Sequence, residues 1–273
     1  MRYLKRVAVL AVTCIALLAA TAGTASAAPS PGYGEWTDCP SRSVDPNIVV
    51  CFLSIVDSGH LQMGNTDTPI VDPIRLVGSL SPEGGDGGTF YVGSFDGGTQ
   101  PVPGGIIGIT ELDWLINLFP GNLLALYASA ELAGTPSSPL QEPFHLPLKV
   151  KLTNPLLSSN CYIGSNTNPI NLNLVTSTTN PPPPNEPISG EAGHPEPDPV
   201  LPGVVRVHGT VLVDNEFAAP AAQGCGFLGL GLIDSLVNSI AGLPSPAGTN
   251  ETVQPAEVSL ASVFAVYQPD GID

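Results

Sequence analysis

Positively charged side chains are scarce in this sequence: 8 Lys and Arg stand against 24 Asp and Glu in 273 residues, a net charge of −16. A polyanionic partner has to be met by clustered Lys and Arg that displace its counterions, so nucleic acid is excluded and anionic lipid headgroups are disfavoured. Histidine is rarer still, with four in the chain, and no H-E-x-x-H puts two imidazoles on one helical face, so zinc-peptidase chemistry has no support. The strained G-x-S-x-G elbow of α/β-type serine hydrolases is missing too. No loop carries the alternating acids and closing Glu of an EF-hand, and the Asp-Gly loops at Asp86 and Asp96 lack a second nearby acid. The sequence therefore predicts no metal, no cofactor and no catalytic motif.

What is present begins with an export signal. Arg2, Lys5 and Arg6 precede the apolar run Val7 to Gly23, and Ala25-Ser26-Ala27 is the small-x-small pattern a signal peptidase cuts. Residues 1–27 are read as a signal peptide and residues 28–273 as one secreted β-rich domain with no membrane span. The run approaches the length of a membrane span, but the cleavage motif decides for removal. Cys14 has no small residue before it, which argues against lipid anchoring. Cleavage leaves Arg42, Arg75, Lys149, Lys151 and Arg206 as the positive charges, so the mature chain stands at 5 minus 24, or −19.

Gly and Pro number 30 each, close to the composition of disordered chains. Leu, Ile, Val and Phe still supply 70 of the 246 mature residues, above the disordered range, so a packed core is expected. Four cysteines remain after cleavage: Cys39, Cys51, Cys161 and Cys225. An even count in an exported chain, without the spacing of a zinc knuckle, predicts two disulfides. The expected pairing is Cys39 with Cys51 and Cys161 with Cys225, one local loop and one long one.

Strand patterns dominate. Leu146, Leu148, Val150 and Leu152 alternate with Lys149, Lys151 and Thr153, and Ile170, Leu172 and Leu174 alternate with Asn171 and Asn173. Val205, Val207, Val211 and Val213 are expected on one face of a further strand, with Arg206, His208 and Thr210 opposite. Asn47 to Val56 is apolar on both faces, as a strand covered on both sides would be. Val258 to Tyr267, Ile74 to Leu80, Thr89 to Phe95 and Leu123 to Leu132 complete the set. Two helices are expected. One is Thr110 to Phe119, with Thr110 as N-cap, Asp113 completing a capping box and Ile109 and Trp114 as a staple. The other is Phe227 to Ala241, with Leu230, Ile233, Val237 and Ile240 along one stripe. D-G-G-T occurs at Asp86 and again at Asp96, each read as a hairpin turn. The stretch 181–202, with nine prolines, reads as a surface loop within the domain.

The nearest thing to enzymatic chemistry is the pair Asp214 and Glu216 at a strand end. A glycosidase needs two carboxylates across a cleft, whereas two acids on one strand end sit side by side, so an acidic turn is the better reading. His60, His145, His194 and His208 have no partner discernible from spacing, and His208 beside Arg206 reads as a solvated surface residue. Asn250-Glu251-Thr252 matches a glycosylation sequon.

The wording LPLKVKLTNPLLSSNCYIGSNTNPINLNL, then PPPPNEPISG, then VLVDNEFAAPAAQGCG, resembles a family of exported actinobacterial proteins without an assigned function. The likeness covers Phe144 to about Gly226, and more loosely Cys39 and Cys51. It implies a secreted single domain with these four cysteines and carries over no catalytic residue. Asp214 and Phe217 fit the family's pattern; Glu216 departs from it, which weakens the carboxylate pair further.

The expectation is a mainly β, antiparallel sandwich or partly closed barrel with two short helices. Its function is expected to be non-enzymatic: binding or structural work on an extracellular or envelope ligand. The alternative is a secreted hydrolase acting on a glycan or ester with dispersed catalytic residues. A third class is self-assembly through exposed sheet edges.

Overall fold

Alternation along the chain becomes thirteen antiparallel strands in the computed structural model, which describes residues 28–85, 87–110, 113–116, 121, 123–226 and 233–267. The expected signal peptide, Asp86 and Glu111 lie outside the described residues, as does the start of the expected helix at Phe227. In chain order the strands are β1 (Val50–Val56), β2 (His60–Met63), β3 (Thr66–Pro69), β4 (Ile74–Ser81), β5 (Thr89–Pro101), β6 (Tyr127–Leu132) and β7 (Phe144–Thr153). They continue as β8 (Tyr162–Ile163), β9 (Ile170–Leu174), β10 (Glu191–Pro197), β11 (Val204–Asp214), β12 (Ala222–Gln223) and β13 (Glu251–Ser262). The α-helical segments among the described residues are α1 (Asp113–Ile116), α2 (Asp234–Ala241) and α3 (Val263–Val266), with 3-10 turns at Gly34–Trp36 and Gly105–Ile107.

The sheet runs β10-β11-β13-β1-β4-β5-β6-β7-β8-β12, with β9 also on β7 and the β2–β3 hairpin on β13, and it does not close on itself. It folds into two layers because β5 serves both. Asp96 pairs with Arg75 of β4, and the next residue, Gly97, pairs with Ala130 of β6. The second D-G-G-T is therefore a bulge inside a strand and not the hairpin turn expected of it. The same chemistry serves both uses: the Asp96 carboxylate accepts the Gly98 N–H at 3.0 Å, and Gly98 sits at φ +61°.

The inner faces of the layers share one core. Phe52, Leu76, Leu80 and Phe90 come from the first layer, and Phe144, Leu146, Leu148, Ile170, Leu172 and Leu174 from the second. These are the alternating positions of β7 and β9, and each fully buried Leu or Ile contributes roughly 1.5–3 kcal/mol. At the far side Val175 and Val213 exchange backbone hydrogen bonds of 3.0 and 2.9 Å, which tie β9 to β11 across the layers.

The outer face of the first layer is covered as well, as the apolar faces of β1 anticipated. Tyr33, Trp36, Ile48, Val263 and Val266 pack over Cys51, Leu53 and Val77. Both disulfides are present, Cys39–Cys51 and Cys161–Cys225, closing separations of 12 and 64 residues. The first ties the covering segment to β1 and the second links β8's start to the segment after β12.

Several boundaries differ from expectation: β6 begins at Tyr127 and β5 continues to Pro101. The C-terminal strand starts at Glu251 and ends at Ser262, where α3 takes over, because the chain there must turn to cover the outer face. The proline-rich stretch is not loop throughout: β10 forms within it, pairing with β11. The Asp113 carboxylate accepts the Gly104 N–H at 2.6 Å, and residues 111 and 112 of the expected capping box lie outside the described residues.

Candidate functional site

Between the two layers, where β1, β4, β11 and β13 face β7 and β9, the packing leaves an apolar cleft of about 230 Å³. Phe52, Leu76 and Leu260 form one wall and Phe144, Leu146 and Leu174 the other. Its rim includes Pro139, Ala192 and Leu140, the last 59% exposed. No charged side chain lines it among the described residues. A second apolar void lies toward the other end of β7, against α2, but its volume is only about 60 Å³. A dry cavity of about 150 Å³ accommodates benzene, so the larger cleft has room for a small ligand and the smaller void does not.

Three polar side chains interrupt the apolar wall deep in the cleft: Ser54, Thr210 and Gln254. Ser54 occupies the inward position of β1 between Leu76 of β4 and Val258 of β13, both of which line the cleft. Gln254 donates its amide to Thr252 at 3.0 Å. Thr210 is 6% exposed and its hydroxyl has no hydrogen-bond partner.

Thr210 reaches the cleft through a fault in the alternation. The β11–β13 register shifts between Val207 and Thr210, and Gly209 within the shift adopts φ +72°. The extra residue returns Thr210 to the side of Val207, so both line the cleft, and Val211 and Val213 fall on the opposite side from Thr210 and Leu212. The expected grouping of Thr210 with Arg206 and His208, and of all four valines on one face, is corrected here. Regular alternation cannot register one inserted residue.

A carboxylate clasps the rim. Glu142 accepts hydrogen bonds from the backbone N–H of Thr176, from the Thr176 hydroxyl at 3.0 Å and from the Ser177 N–H at 3.1 Å. It thereby fastens the segment that carries Leu140 to the end of β9. Burial pushes the Glu142 carboxyl up, but these donors outweigh it and hold the group below its ordinary value.

The residues singled out from the sequence do not converge on this cleft. Asp214 is fully buried; its two oxygens accept the N–H of Asn173 at 2.6 Å and of Glu216 at 2.8 Å. Burial raises its pKa to about 6 in spite of those donors. Glu216 accepts the Asn180 N–H at 2.5 Å, so both acids fasten backbone segments, as an acidic turn would. His60 lies 3.5 Å from Glu251, His208 lies 2.8 Å from Glu257, and the ring of His145 meets the side-chain amide of Asn173 at 2.6 Å. His194 is exposed on β10, opposite His208. Among the described residues none of these rings meets a carboxylate and a serine together, and none lines the cleft.

The sequon is closed. Asn250 and Thr252 are both 0% exposed. The Asn250 amide accepts from Gly64 and Ser245 and donates to the carbonyls of Phe217 and Pro246, a full set of partners for a buried asparagine. Among the described residues no group of three or more His, Cys, Asp or Glu could hold a metal ion, and no helix is long and apolar enough to cross a membrane.

Compared with protein-family models, curated proteins and solved structures, the chain matches none.

Proposed function

We propose that the chain is an exported, non-enzymatic binding protein acting outside the cell or at the envelope. Its ligand site is the cleft between the layers. The observation that carries this reading is a concave, uncharged, apolar space with a few inward polar groups, which is the usual make-up of a small-molecule site. Export is supported by the leader-like residues 1–27 and by two disulfides, which persist in oxidising compartments. The hydrolase alternative draws no support from the cleft, since none of the lining residues is a histidine or an acid that could act as general base.

Titration of the purified secreted protein with an uncharged, environment-sensitive fluorescent dye tests the reading. Saturable binding to the wild type, abolished by Ala192→Trp at the rim, is expected, with no turnover of chromogenic esters or glycosides. Dye binding indifferent to Ala192→Trp, or turnover of an ester, would overturn it.

A further inference from the structure

The outer faces of the two layers differ. Tyr33, Trp36 and their neighbours cover that of the first. On the second, Gln223 of β12 pairs with Tyr162 of β8, and Tyr162 pairs with Lys151 of β7. Val150 and Ile163, the next pair along, belong to the core, so these three side chains point outward. An open groove of about 510 Å³ lies on this face, within the range of small-ligand sites. Its walls are the Tyr162 ring, the amides of Asn160, Asn166 and Gln223, and the hydroxyls of Ser165 and Thr167. Among the described residues, none of the three side-chain amides is taken up by a hydrogen bond within the protein. Lys149, the charged residue lining the groove, is neutralised on the same face. Its Nζ lies 3.4 Å from Glu131 and 5.1 Å from the centre of the Tyr162 ring, and the Tyr162 hydroxyl donates to Glu131 at 3.2 Å.

The walls are fixed in place. Asn160 and Tyr162 flank Cys161, Gln223 and Gly224 precede Cys225, and the buried bridge joins the two strands. The Ser158 hydroxyl donates to the Gly224 carbonyl at 2.6 Å, and Asp234 accepts the Cys225 N–H at 2.6 Å. Ser165 and Asn168 exchange backbone hydrogen bonds of 3.0 and 3.3 Å, which close the turn carrying Asn166 and Thr167. Held groups lose little freedom on binding, so a flexible polar ligand meets a smaller ordering cost. The lining also selects by exclusion. No Val, Leu, Ile, Met or Ala lines the groove, so an apolar chain finds no partner there but the ring. A polyanion is repelled by a chain at −16. What remains is an uncharged ligand with donors and acceptors on all sides and some C–H surface. We infer that the groove binds a neutral saccharide, at a site separate from the apolar cleft and independent of it. Each amide donates and accepts at once, as does each sugar hydroxyl, so neighbouring hydroxyls can be paired by one Asn or Gln. The electron-rich face of the Tyr162 ring suits the C–H surface of a sugar ring.

Native electrophoresis of the purified protein at pH 8 tests this, through gels containing glycogen, laminarin, mannan or arabinogalactan, with polygalacturonate as the acidic control. Retardation by at least one of the four neutral polymers, and not by polygalacturonate, is expected. Asn166→Ala and Gln223→Ala are each expected to weaken that affinity by about three- to tenfold. Tyr162→Ala should weaken it by about tenfold, and Tyr162→Phe, which keeps the ring, by less than about threefold. Asn166 and Gln223 are exposed, so their truncation spares the core, and an unchanged cooperative melt verifies it. Ala192→Trp, in the rim of the cleft, should leave the retardation as it is. Free migration in all four neutral gels, retardation by polygalacturonate alone, or wild-type affinity in Asn166→Ala, Gln223→Ala and Tyr162→Ala together would overturn the site. Retardation lost in Ala192→Trp and kept in those three variants would move the saccharide to the cleft and overturn it equally.

Discussion

Glu35 and Arg206, 171 positions apart, meet as a fork: Nη1 donates to Oε2 at 3.1 Å and Nη2 to Oε1 at 2.5 Å. The same guanidinium donates through Nε to Asp198 at 3.0 Å and lies 5.3 Å from the centre of the Trp36 ring. It therefore joins the N-terminal covering segment, β11 and the turn after β10. Arg206→Met is expected to lower stability by about 2 kcal/mol, since partly buried bidentate pairs exceed the value of exposed ones. Arg206→Lys should recover only part of it, because an ammonium cannot form the fork. Urea midpoints of the two variants check both statements.

Asp214 should give the protein an unusual pH response. Its folded pKa of about 6 lies above the ordinary 3.8. Between those values the folded state holds a proton that the unfolded state has lost. The contribution is thus present in full below the unfolded value and is lost as pH rises through the folded one, amounting to about 3 kcal/mol. Urea unfolding is expected to show greater stability near pH 4.5 than at pH 7, with the difference much reduced in Asp214→Asn. Glu142, Asp45 and Asp198 are held below their ordinary values, so their contributions vanish in strong acid and stability turns down again there.

The bridge Cys161–Cys225 closes the longer loop and should stabilise more than Cys39–Cys51. Chain-entropy arguments give about 4 and about 3 kcal/mol. Replacing each pair by serine and comparing denaturant midpoints tests the order. Non-reducing mass analysis of the purified protein should find no free thiol among Cys39, Cys51, Cys161 and Cys225.

Asn250 should remain unmodified in any folded molecule, whatever the host. Asn250→Ala is expected to cost about 3 kcal/mol, because it leaves buried donors and carbonyls unpaired. In a glycosylating host the folded fraction should carry the unmodified mass, and any glycosylated fraction should fail to show a cooperative melt.

Self-assembly through β10 should be blocked. Asp198 N–H bonds Val204 O, so alternate N–H groups of β10 point inward, and the outward positions at 195 and 197 are prolines. The edge offers a neighbour no donor there. A monomer is expected in size-exclusion at high concentration, whereas a Pro195→Thr, Pro197→Thr double variant should elute earlier as concentration rises.

The sequence by itself determined the layers. Strict alternation in Leu146–Leu152 and Ile170–Leu174 put a leucine-rich face inward, and the two-sided apolar pattern before Val56 called for cover on both faces, which the second layer supplies inside and Trp36 and Val263 outside. These signals are local and repeat with the pleat, so they can be read without knowing any partner. The even number of cysteines likewise sufficed to expect two bridges. Only the tertiary structure decided the site. Gly209 shifts one register and brings Thr210 inward, and β5 passes through a bulge at Gly97 and Gly98 where a turn was expected. Asp214 is raised by burial that no spacing encodes. The cleft exists because residues from β1, β4, β5, β7, β9, β10, β11 and β13 stop short of filling one volume, and a volume shared by eight separate strands has no period in the chain.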